Sequence, residues 1–318
     1  MKPTTFDARS EIYRNKSQTT ARLRNLSIFV FSILLLAYVL GPIAWLLSSS
    51  FQTEAEIVSV PPHWIPDEPT LKNFEAIFFS EFEEVTYDTR KKADPVSGGY
   101  IPSTAKDLLP SMWNSFLVSI AVVMLNLFVG VPAAYAMAKI RFWGRDGTIY
   151  TILTTRVIPD IALVVPFFLV IKNLGLLDHI ASLIVTYLAV TVPFTVFILV
   201  SFFESLPDEL DKAARVDGCS RLQTLNKVFL PLSLPSLVAV MLFAFLTSWN
   251  EFLLALMFTQ TIASQTLPII VAGFTSDFTI SFSFINAAGV IAVIPPVVLA
   301  VMFERYIVSG LTAGAVKG

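Results

Sequence analysis

Six long apolar runs, separated by polar segments, dominate the chain and restrict what it can fold into. An apolar run of about 20 residues is long enough to cross the hydrocarbon core of a bilayer as an α-helix. The spans of a membrane β-barrel would show short segments of alternating hydrophobicity, a pattern that differs from this one. We therefore predict an all-α integral membrane protein with six spans, at residues 28–50, 112–138, 149–173, 180–203, 233–258 and 283–306.

Composition agrees with a membrane protein rather than with a water-soluble domain. The 318 residues are 55% hydrophobic and 14% charged, whereas soluble domains carry about 25% charged residues. The first 25 residues are too polar, and the run after them too long, for a cleaved signal peptide, so we expect an uncleaved anchor. The single cysteine, Cys219, allows no disulfide framework. The net charge of −2 gives no indication of a nucleic-acid partner, and none is expected.

Lysine and arginine concentrate in alternate loops, which predicts the orientation in the membrane. They are frequent before the first span and in the second and fourth loops, and nearly missing from the third and fifth loops. Both termini and loops two and four are therefore expected in the cytoplasm of a multi-pass inner-membrane protein. This divides the chain into a cytoplasmic segment 1–27, a membrane domain 28–306 and a cytoplasmic tail 307–318.

A long extracytoplasmic loop is predicted at residues 51–111. It begins proline-rich, continues with a short helical segment at 70–79, and contains a polar insertion at 81–107. A loop of this length is either functional or an insertion without a chemical role. Two interpretations stay open: a solvated insertion, or a platform that touches an extracytoplasmic partner protein.

Six prolines lie inside four of the predicted spans, and proline removes a backbone hydrogen bond and bends or interrupts a helix. The carbonyl groups freed in this way must find other donors inside a membrane. The pattern favours a moving helical bundle over an inert anchor. The prolines concerned are Pro132, Pro159, Pro166, Pro193, Pro295 and Pro296.

The polar stretch 204–232 between the fourth and fifth spans predicts a compact cytoplasmic helix–turn–helix. Pro207 suits the first turn of a helix that extends to about Val216. Gly218 can adopt the left-handed conformation that ends a helix. Ser220 can cap a second helix that extends to about Phe229, before proline breaks the pattern. Charged helices without lipid to face are expected to dock on something outside the bilayer.

At these residues the chain resembles the permease subunits of binding-protein-dependent ABC importers. Their cytoplasmic signature is Glu-Ala-Ala, three residues, glycine, and a Leu-Pro step about a dozen residues later. Lysine stands where the family has glutamate, which reverses that charge, and Glu209 is out of register with it. The segments 132–138 and 248–256 resemble the carbohydrate, maltose-type branch of the family. The residues of this loop that the resemblance assigns to ATPase coupling are Lys212, Ala213, Ala214, Asp217, Gly218, Leu230 and Pro231.

The resemblance implies a machine of several chains. It implies a heterodimer with a second permease, two ABC ATPase subunits that bind the 204–232 loop, and an extracytoplasmic solute-binding protein. The sequence lacks the Gly-x-x-x-x-Gly-Lys-Ser/Thr phosphate loop, so ATP and Mg²⁺ are expected on the partner ATPases, with no cofactor on this chain. The chain itself is then no enzyme. Its cargo is expected to be a sugar; the alternatives are another solute such as a polyol, a glycerol phosphate or a peptide, or a secondary transporter.

Polar residues inside the fifth span are candidates for the solute path. Asn250 and Glu251 lie between Trp249 and Phe252, and ionisable groups at membrane depth usually face the interior of a bundle. Amide and carboxylate groups can bond sugar hydroxyls while aromatic rings stack on sugar faces. The alternative is a pair of interhelical hydrogen bonds that fixes helix packing.

Other polar positions have simpler expectations. Arg156 and Asp160 are four residues apart and predict an ion pair along one helix, with a gating role as the alternative. The fifth loop carries Phe274, Phe278 and Phe282, either facing the binding protein or anchoring the membrane interface. His63 and His179 are isolated in the sequence, so no metal site is expected.

Overall fold

A computed structural model of the protein describes residues 5–79, 103–275 and 282–315. Most of these residues are helical, and the longest helices are α1 (Thr5–Ser49), α4 (Leu108–Lys139), α7 (Ile180–Ser205) and α14 (Phe282–Ala315). Each contains an apolar stretch long enough to cross a membrane, which confirms the predicted first, second, fourth and sixth spans as helices. Six crossings result only if two bent helix pairs each count as one span.

Shorter helices connect and complete these four. A 3₁₀ turn, Ser103–Asp107, leads into α4, and a π-helical turn, Leu225–Phe229, lies between two short helices that end at Thr224 and begin at Leu230. The shorter helices are α2 (Glu54–Ile57), α3 (Lys72–Phe79), α5 (Arg145–Thr155), α6 (Asp160–Asn173), α8 (Asp208–Val216), α9 (Arg221–Thr224), α10 (Leu230–Leu232), α11 (Leu234–Trp249), α12 (Leu253–Phe258) and α13 (Leu267–Ala272).

The predicted third span is not one continuous helix. Its two halves, α5 and α6, meet at an angle of 100° across residues 156–159. Pro159 has an extended backbone (φ −62°, ψ 137°) and is the N-cap of α6, because proline has no N–H for a preceding turn and restricts the residue before it. The prediction of an ion pair between Arg156 and Asp160 is therefore wrong, because it assumed one unbroken helix through both residues. The Arg156 guanidinium instead donates to the Val190 carbonyl at 3.0 Å.

The predicted fifth span is also interrupted. Its first helix, α11, ends at Trp249, and residues 250–252 are non-helical before α12 begins. At its other end, the helical segment Arg221–Leu232 meets α11 at 86°, with Ser233 at the corner. A continuous span over 233–258 is therefore wrong. The apolar composition of a run indicates burial or lipid contact along it, but it does not indicate where the helical backbone is interrupted.

The core of the bundle is the pair α4 and α7, with α11 packed against α4 and α14, and α1 against α14. Close approach of α4 to α7 requires a residue without a side chain at Gly130. A Cβ atom there would lie 2.9 Å from Thr195 Cγ2, closer than van der Waals contact permits. We call the end of the bundle that carries α8–α10 the coupling end. The end that carries α2, α3 and the loops 174–179 and 259–266 is the opposite end.

Candidate functional site

The helix–turn–helix predicted at 204–232, here named the coupling loop, is present at the coupling end. Its first helix ends at Val216, and Gly218 adopts a left-handed φ of +82°. Ser220 and Gln223 form a reciprocal capping box, in which each side chain accepts a backbone N–H of the other residue. The predicted turn and cap are therefore confirmed.

The second helix of the coupling loop differs from the prediction. After one α-turn it widens into the π-helical turn Leu225–Phe229, and then continues as α10 to Leu232. Pro231 lies within the first turn of α10 and does not end the helical path there. The sharp bend occurs at Ser233, whose hydroxyl donates to the Phe229 carbonyl at 2.6 Å.

Two aspartates fasten the coupling loop to the end of α4. Asp211 accepts a hydrogen bond of 2.6 Å from the Tyr135 hydroxyl and one of 3.2 Å from Arg221. Lys139, one turn after Tyr135, is buried and donates to Asp208 at 2.7 Å and to the Leu206 carbonyl at 2.8 Å. The lysine hydrogen bond and charge lower the pKa of Asp208 below its usual range. These hydrogen bonds therefore join α8 to the end of α4.

Aromatic rings fill the space beneath these polar contacts. Tyr135, Phe203 and Phe229 meet edge to face, with ring centroids between 5.2 and 6.3 Å apart. Phe203 and Phe229 are fully buried. Close-packed rings resist sliding, because interiors of this density leave no space to absorb a shift. The coupling loop thus packs on a buried aromatic cluster to which α4, α7 and the π-helical turn each contribute one ring.

The outward face of the coupling loop is exposed and partly apolar. Val216 is 88% exposed and Leu222 is 61% exposed, although both sit beside charged neighbours. Of the residues predicted from the signature, Ala214 is buried within the loop and Leu230 is half-buried; the exposed ones are Lys212, Ala213, Asp217, Gly218 and Pro231. The signature alone gave no indication of Val216 and Leu222, nor of Tyr135 and Lys139 as anchors.

An open cavity of about 510 Å³ lies where α11 ends, between α13 and α14. Three of the four predicted path residues, Trp249, Asn250 and Phe252, contribute to its lining. The rest of the wall is apolar, so the Asn250 amide is the polar side chain at this surface. The remaining lining residues are Leu267, Pro268, Val271, Ala272, Ala292, Val293 and Pro296.

Trp249 also satisfies a backbone carbonyl of α14 that has no helical hydrogen-bond donor. Pro295 and Pro296 have no N–H, so the Ala292 carbonyl has no helical donor three or four residues later. The Trp249 indole N–H donates to that carbonyl at 3.2 Å. A freed carbonyl at membrane depth is costly unless a neighbour satisfies it. The tryptophan therefore joins α11 to the proline pair of α14 at the cavity wall.

Glu251 faces away from the cavity and makes three hydrogen bonds inside the bundle. Its carboxylate accepts the Tyr187 hydroxyl at 2.7 Å and the backbone N–H groups of Leu254 and Ala255 at 2.7 and 3.0 Å. It therefore caps α12 and ties it to α7. Such contacts agree with the alternative drawn from the sequence, in which hydrogen bonds between helices fix their packing. Glu251 is not among the residues that line the cavity.

A clamp at the opposite end centres on Asp178, whose φ of +60° is unusual for a residue other than glycine. Its carboxylate accepts the backbone N–H groups of Gln260 and Thr261, at 2.8 and 2.9 Å, and the hydroxyls of Thr261 and Ser264. These donors, the Ser264 hydroxyl first, hold the Asp178 pKa well below its usual range. The clamp fixes the 259–266 loop, which leads directly into the cavity-lining helix α13.

Asp178→Ala is expected to loosen the 259–266 loop and lower transport, because four donors lose their acceptor. Asp178→Asn is the matched control, since asparagine tolerates the left-handed conformation and keeps one acceptor oxygen. A depressed carboxyl pKa contributes stability above the unfolded pKa and loses it as pH falls through the folded value. The wild-type clamp should therefore survive mild acid. Protease cleavage within 259–266, compared across pH 5–8, measures this; equal cleavage of both variants and the wild type would contradict it.

The remaining predictions near the opposite end have mixed outcomes. Phe274 is buried in the core, Phe282 is exposed, and Phe278 lies outside the described residues. Most of the 81–107 insertion also lies outside the described residues, of which 103–107 form the 3₁₀ turn. The expectation that His63 is isolated is wrong, because Glu56 and Asp67 lie beside it. No sequence spacing signalled this cluster, which forms only when the chain between α2 and α3 turns back on itself.

Comparison with known proteins decides the family. Residues 127–312 match the family described as "Binding-protein-dependent transport system inner membrane component". The chain belongs to this family. The resemblance seen at the coupling loop is thus confirmed, and this multi-pass membrane protein is an ABC transporter permease of the carbohydrate type.

Relatives align over nearly the whole permease. The sulfoquinovosyl glycerol transport system permease protein SmoH of Agrobacterium fabrum is 34% identical, with 91% of this chain and 93% of that protein covered. The trehalose/maltose transport system permease protein MalG of Thermococcus litoralis is 33% identical, with 93% and 98% covered. The diacetylchitobiose uptake system permease protein DasC of Streptomyces coelicolor is 30% identical, with 91% and 96% covered.

A solved structure agrees with the fold of this permease. A chain of a bacterial ABC transporter involved in the import of the acidic polysaccharide alginate superposes with a TM-score of 0.74 at 21% identity. The match covers 91% of this permease and 98% of that chain. At this identity the likeness establishes the fold alone.

Proposed function

We propose that this permease imports a sugar, a mono- or oligosaccharide, and that ATP hydrolysis on separate subunits drives the transport. The observation that carries the proposal is the coupling loop: an exposed, partly apolar knob fastened through Asp211 and Asp208 to the end of α4. An exposed, partly apolar loop of this kind needs a partner outside the membrane, and its hydrogen bonds to α4 connect it to the helix bundle.

The coupling end is proposed to face the cytoplasm, with both termini on that side, as the distribution of lysine and arginine predicts. Two ATPase subunits, one on this permease and one on a related second permease, would hold the knobs and bind ATP with Mg²⁺. Val216 and Leu222 supply apolar contact area for that docking. Lys212 and Arg215 are exposed on the same helix, so the facing surface is expected to offer carboxylates there.

Force would pass from the knob into the bundle along α4. Closure of the ATPases moves α8; the hydrogen bonds of Asp211 and Asp208 transfer this movement to Tyr135 and Lys139. The packed rings beneath them prevent the movement from being absorbed locally. Because α4 packs along α7 and α11, tilting α4 shifts α7, which bonds Glu251 through Tyr187, and α11, which ends at the cavity wall.

The open cavity at the end of α11 is proposed to form part of the solute path. Its lining combines the Asn250 amide, which bonds hydroxyls, with Trp249 and Phe252, whose faces suit the C–H surface of a sugar ring. The cavity is open at one side, and the second permease is the expected wall there. An extracytoplasmic binding protein would deliver the solute to the opposite end. The sugar cargo of SmoH, MalG and DasC supports this class of substrate.

Two alternatives have specific discriminators. The same machine could carry a different solute, such as a polyol, a glycerol phosphate or a peptide, and binding of candidate solutes to the partner binding protein separates these. A secondary transporter is favoured by one observation, since broken spans such as α5–α6 are common in that class. Family membership argues against it, and a transport requirement for ATP rather than an ion gradient decides between the two.

Purification of the tagged permease from its native membrane is the direct experiment. We expect a second permease and an ABC ATPase subunit to co-purify, and the reconstituted complex to take up a sugar only when ATP and the binding protein are supplied. Uptake driven by an ion gradient without ATP would refute the mechanism. Uptake of a peptide in preference to every sugar tested would refute the substrate class alone.

A further inference from the structure

A cluster of three potential ligands lies in the segment between α1 and α3, away from the coupling loop and the cavity. Glu56, His63 and Asp67 place one ligand atom each within 4.8 Å of one another. His63 Nδ1 is 2.9 Å from Asp67 Oδ2 and 3.7 Å from Glu56 Oε1. The three residues span only twelve positions, but the chain must turn back on itself to bring them together.

The imidazole nitrogen at the centre of this cluster lacks a hydrogen bond. His63 Nδ1 is shielded from solvent and has no hydrogen-bond partner, even though two carboxylates approach it. Carboxylate oxygens and an imidazole nitrogen carry lone pairs of the kind that ligate cations, and Glu56 Oε1 also accepts the Asp67 backbone N–H at 2.6 Å, which holds the two acidic residues side by side. Two carboxylates beside one imidazole also carry more negative charge than that ring balances even when it is protonated. The unbonded ring nitrogen and the excess negative charge both favour a cation bound among these three side chains.

We propose that Glu56, His63 and Asp67 bind a divalent transition-metal ion of the zinc class. One imidazole nitrogen and two carboxylate oxygens form a mixed ligand set that suits zinc, which takes three protein ligands and one water in open sites. The Asp67 side chain is 74% exposed and that of Glu56 is 11% exposed, so the ion can enter from solvent on one side. Calcium, which prefers six to eight oxygen ligands, does not suit this set.

The surrounding contacts show what the ion would stabilise. The Gln52 amide donates to the His63 carbonyl at 2.7 Å, and the Ser48 hydroxyl donates to the neighbouring Trp64 carbonyl at 2.6 Å. Glu54, beside Glu56 on α2, accepts the backbone N–H groups of Phe282 and Ser283 at the start of α14. The metal therefore fastens the segment that joins α1 to the first turn of α14. Binding does not depend on which solute the permease carries.

Zinc content of the assembled transporter tests the site. The complex, purified without a histidine tag, is stripped with a chelator, equilibrated with Zn²⁺, freed of unbound metal and analysed by mass spectrometry. His63→Ala should lose about one zinc ion per permease relative to the wild type. His179→Ala is the matched control and should retain it, because the chain has 2 histidines and His179 lies outside the cluster. Equal zinc content in His63→Ala and the wild type would overturn the assignment.

A second variant keeps the test informative if His63→Ala fails to assemble. Asp67→Asn alters an exposed side chain and should leave assembly intact while weakening zinc affinity at least about 10-fold, the lower end of the loss measured when even outer-shell partners of metals are removed. Titrations with Mn²⁺ and Ca²⁺ accompany it. Unchanged zinc affinity in Asp67→Asn, or Ca²⁺ displacing Zn²⁺ at equal concentration, would contradict the proposed ligand set.

Discussion

Gly218→Val is expected to abolish transport while leaving the permease inserted in the membrane. At a φ of +82° a β-branched residue is strained, at a cost of about 1–3 kcal/mol. No atom lies within 4 Å of a Cβ built at this position, so the strain arises from the backbone and not from a clash. The turn relieves it by changing conformation, which reorients α8 relative to α9 and disrupts the docking face.

The measurement is solute-stimulated ATP hydrolysis by the reconstituted complex, together with uptake. The stimulated ATPase rate and the uptake rate should both fall at least about tenfold, because a loss of about 1.4 kcal/mol in the coupling free energy corresponds to a factor of ten. Gly218→Asn is the control, because asparagine adopts the left-handed conformation at little cost. Gly175→Val carries the same kind of strain at the opposite end, at a φ of +68°, and should leave co-purification of the ATPase unchanged. Normal stimulation in Gly218→Val would show that the coupling loop is not the docking element.

Glu251→Ala is expected to destabilise the permease, whereas Asn250→Ala is expected to impair transport alone. Removing the Glu251 carboxylate leaves the buried Tyr187 hydroxyl and two backbone donors of α12 without an acceptor. Each buried donor left unsatisfied costs about 1–3 kcal/mol, so a loss of at least about 3 kcal/mol follows. Asn250 is exposed at the cavity, and within the described part of the chain its side chain makes no hydrogen bond whose loss would destabilise the fold.

Thermal unfolding in detergent and uptake in vesicles, measured on the same preparations, separate the two effects. Tyr187→Phe is the matched variant for the packing role, since it removes one hydrogen bond and leaves the two that cap α12; about a third of the Glu251→Ala loss is expected. An unfolding midpoint unchanged in Glu251→Ala would refute the packing role. Wild-type uptake by Asn250→Ala, with normal assembly, would remove Asn250 from the solute path.

The coupling loop could be predicted from the sequence because the residues that define its helix ends and its turn act locally. Asp208 and Glu209 favour a helix start, Gly218 permits a left-handed turn, and Ser220 caps the next helix whatever surrounds them. Its anchors were not readable in this way. Tyr135 and Lys139 lie more than sixty residues before the aspartates that they bind, and nothing in their immediate neighbours indicates that contact.

The spans illustrate the same limit. Hydropathy located every apolar run, because the cost of burying polar groups in lipid depends on composition alone. It did not locate the breaks at 156–159 and 250–252, since an interrupted helix is stable only when other parts of the fold supply its missing hydrogen bonds. Glu251 caps α12 through the nearby N–H groups of Leu254 and Ala255, while its third partner, the Tyr187 hydroxyl, comes from α7 and depends on the tertiary fold.

The sequence by itself determined a helical membrane permease, its family and the position of its coupling loop. Each of these follows from residues close together in the chain. Tertiary structure alone decided that Glu251 supports packing while Asn250 faces the cavity, that Trp249 satisfies the carbonyl freed by the α14 prolines, and that Glu56, His63 and Asp67 converge. These contacts depend on where backbone segments meet in space, and the hydrogen bonds and charges formed there are set by distance rather than by order along the chain.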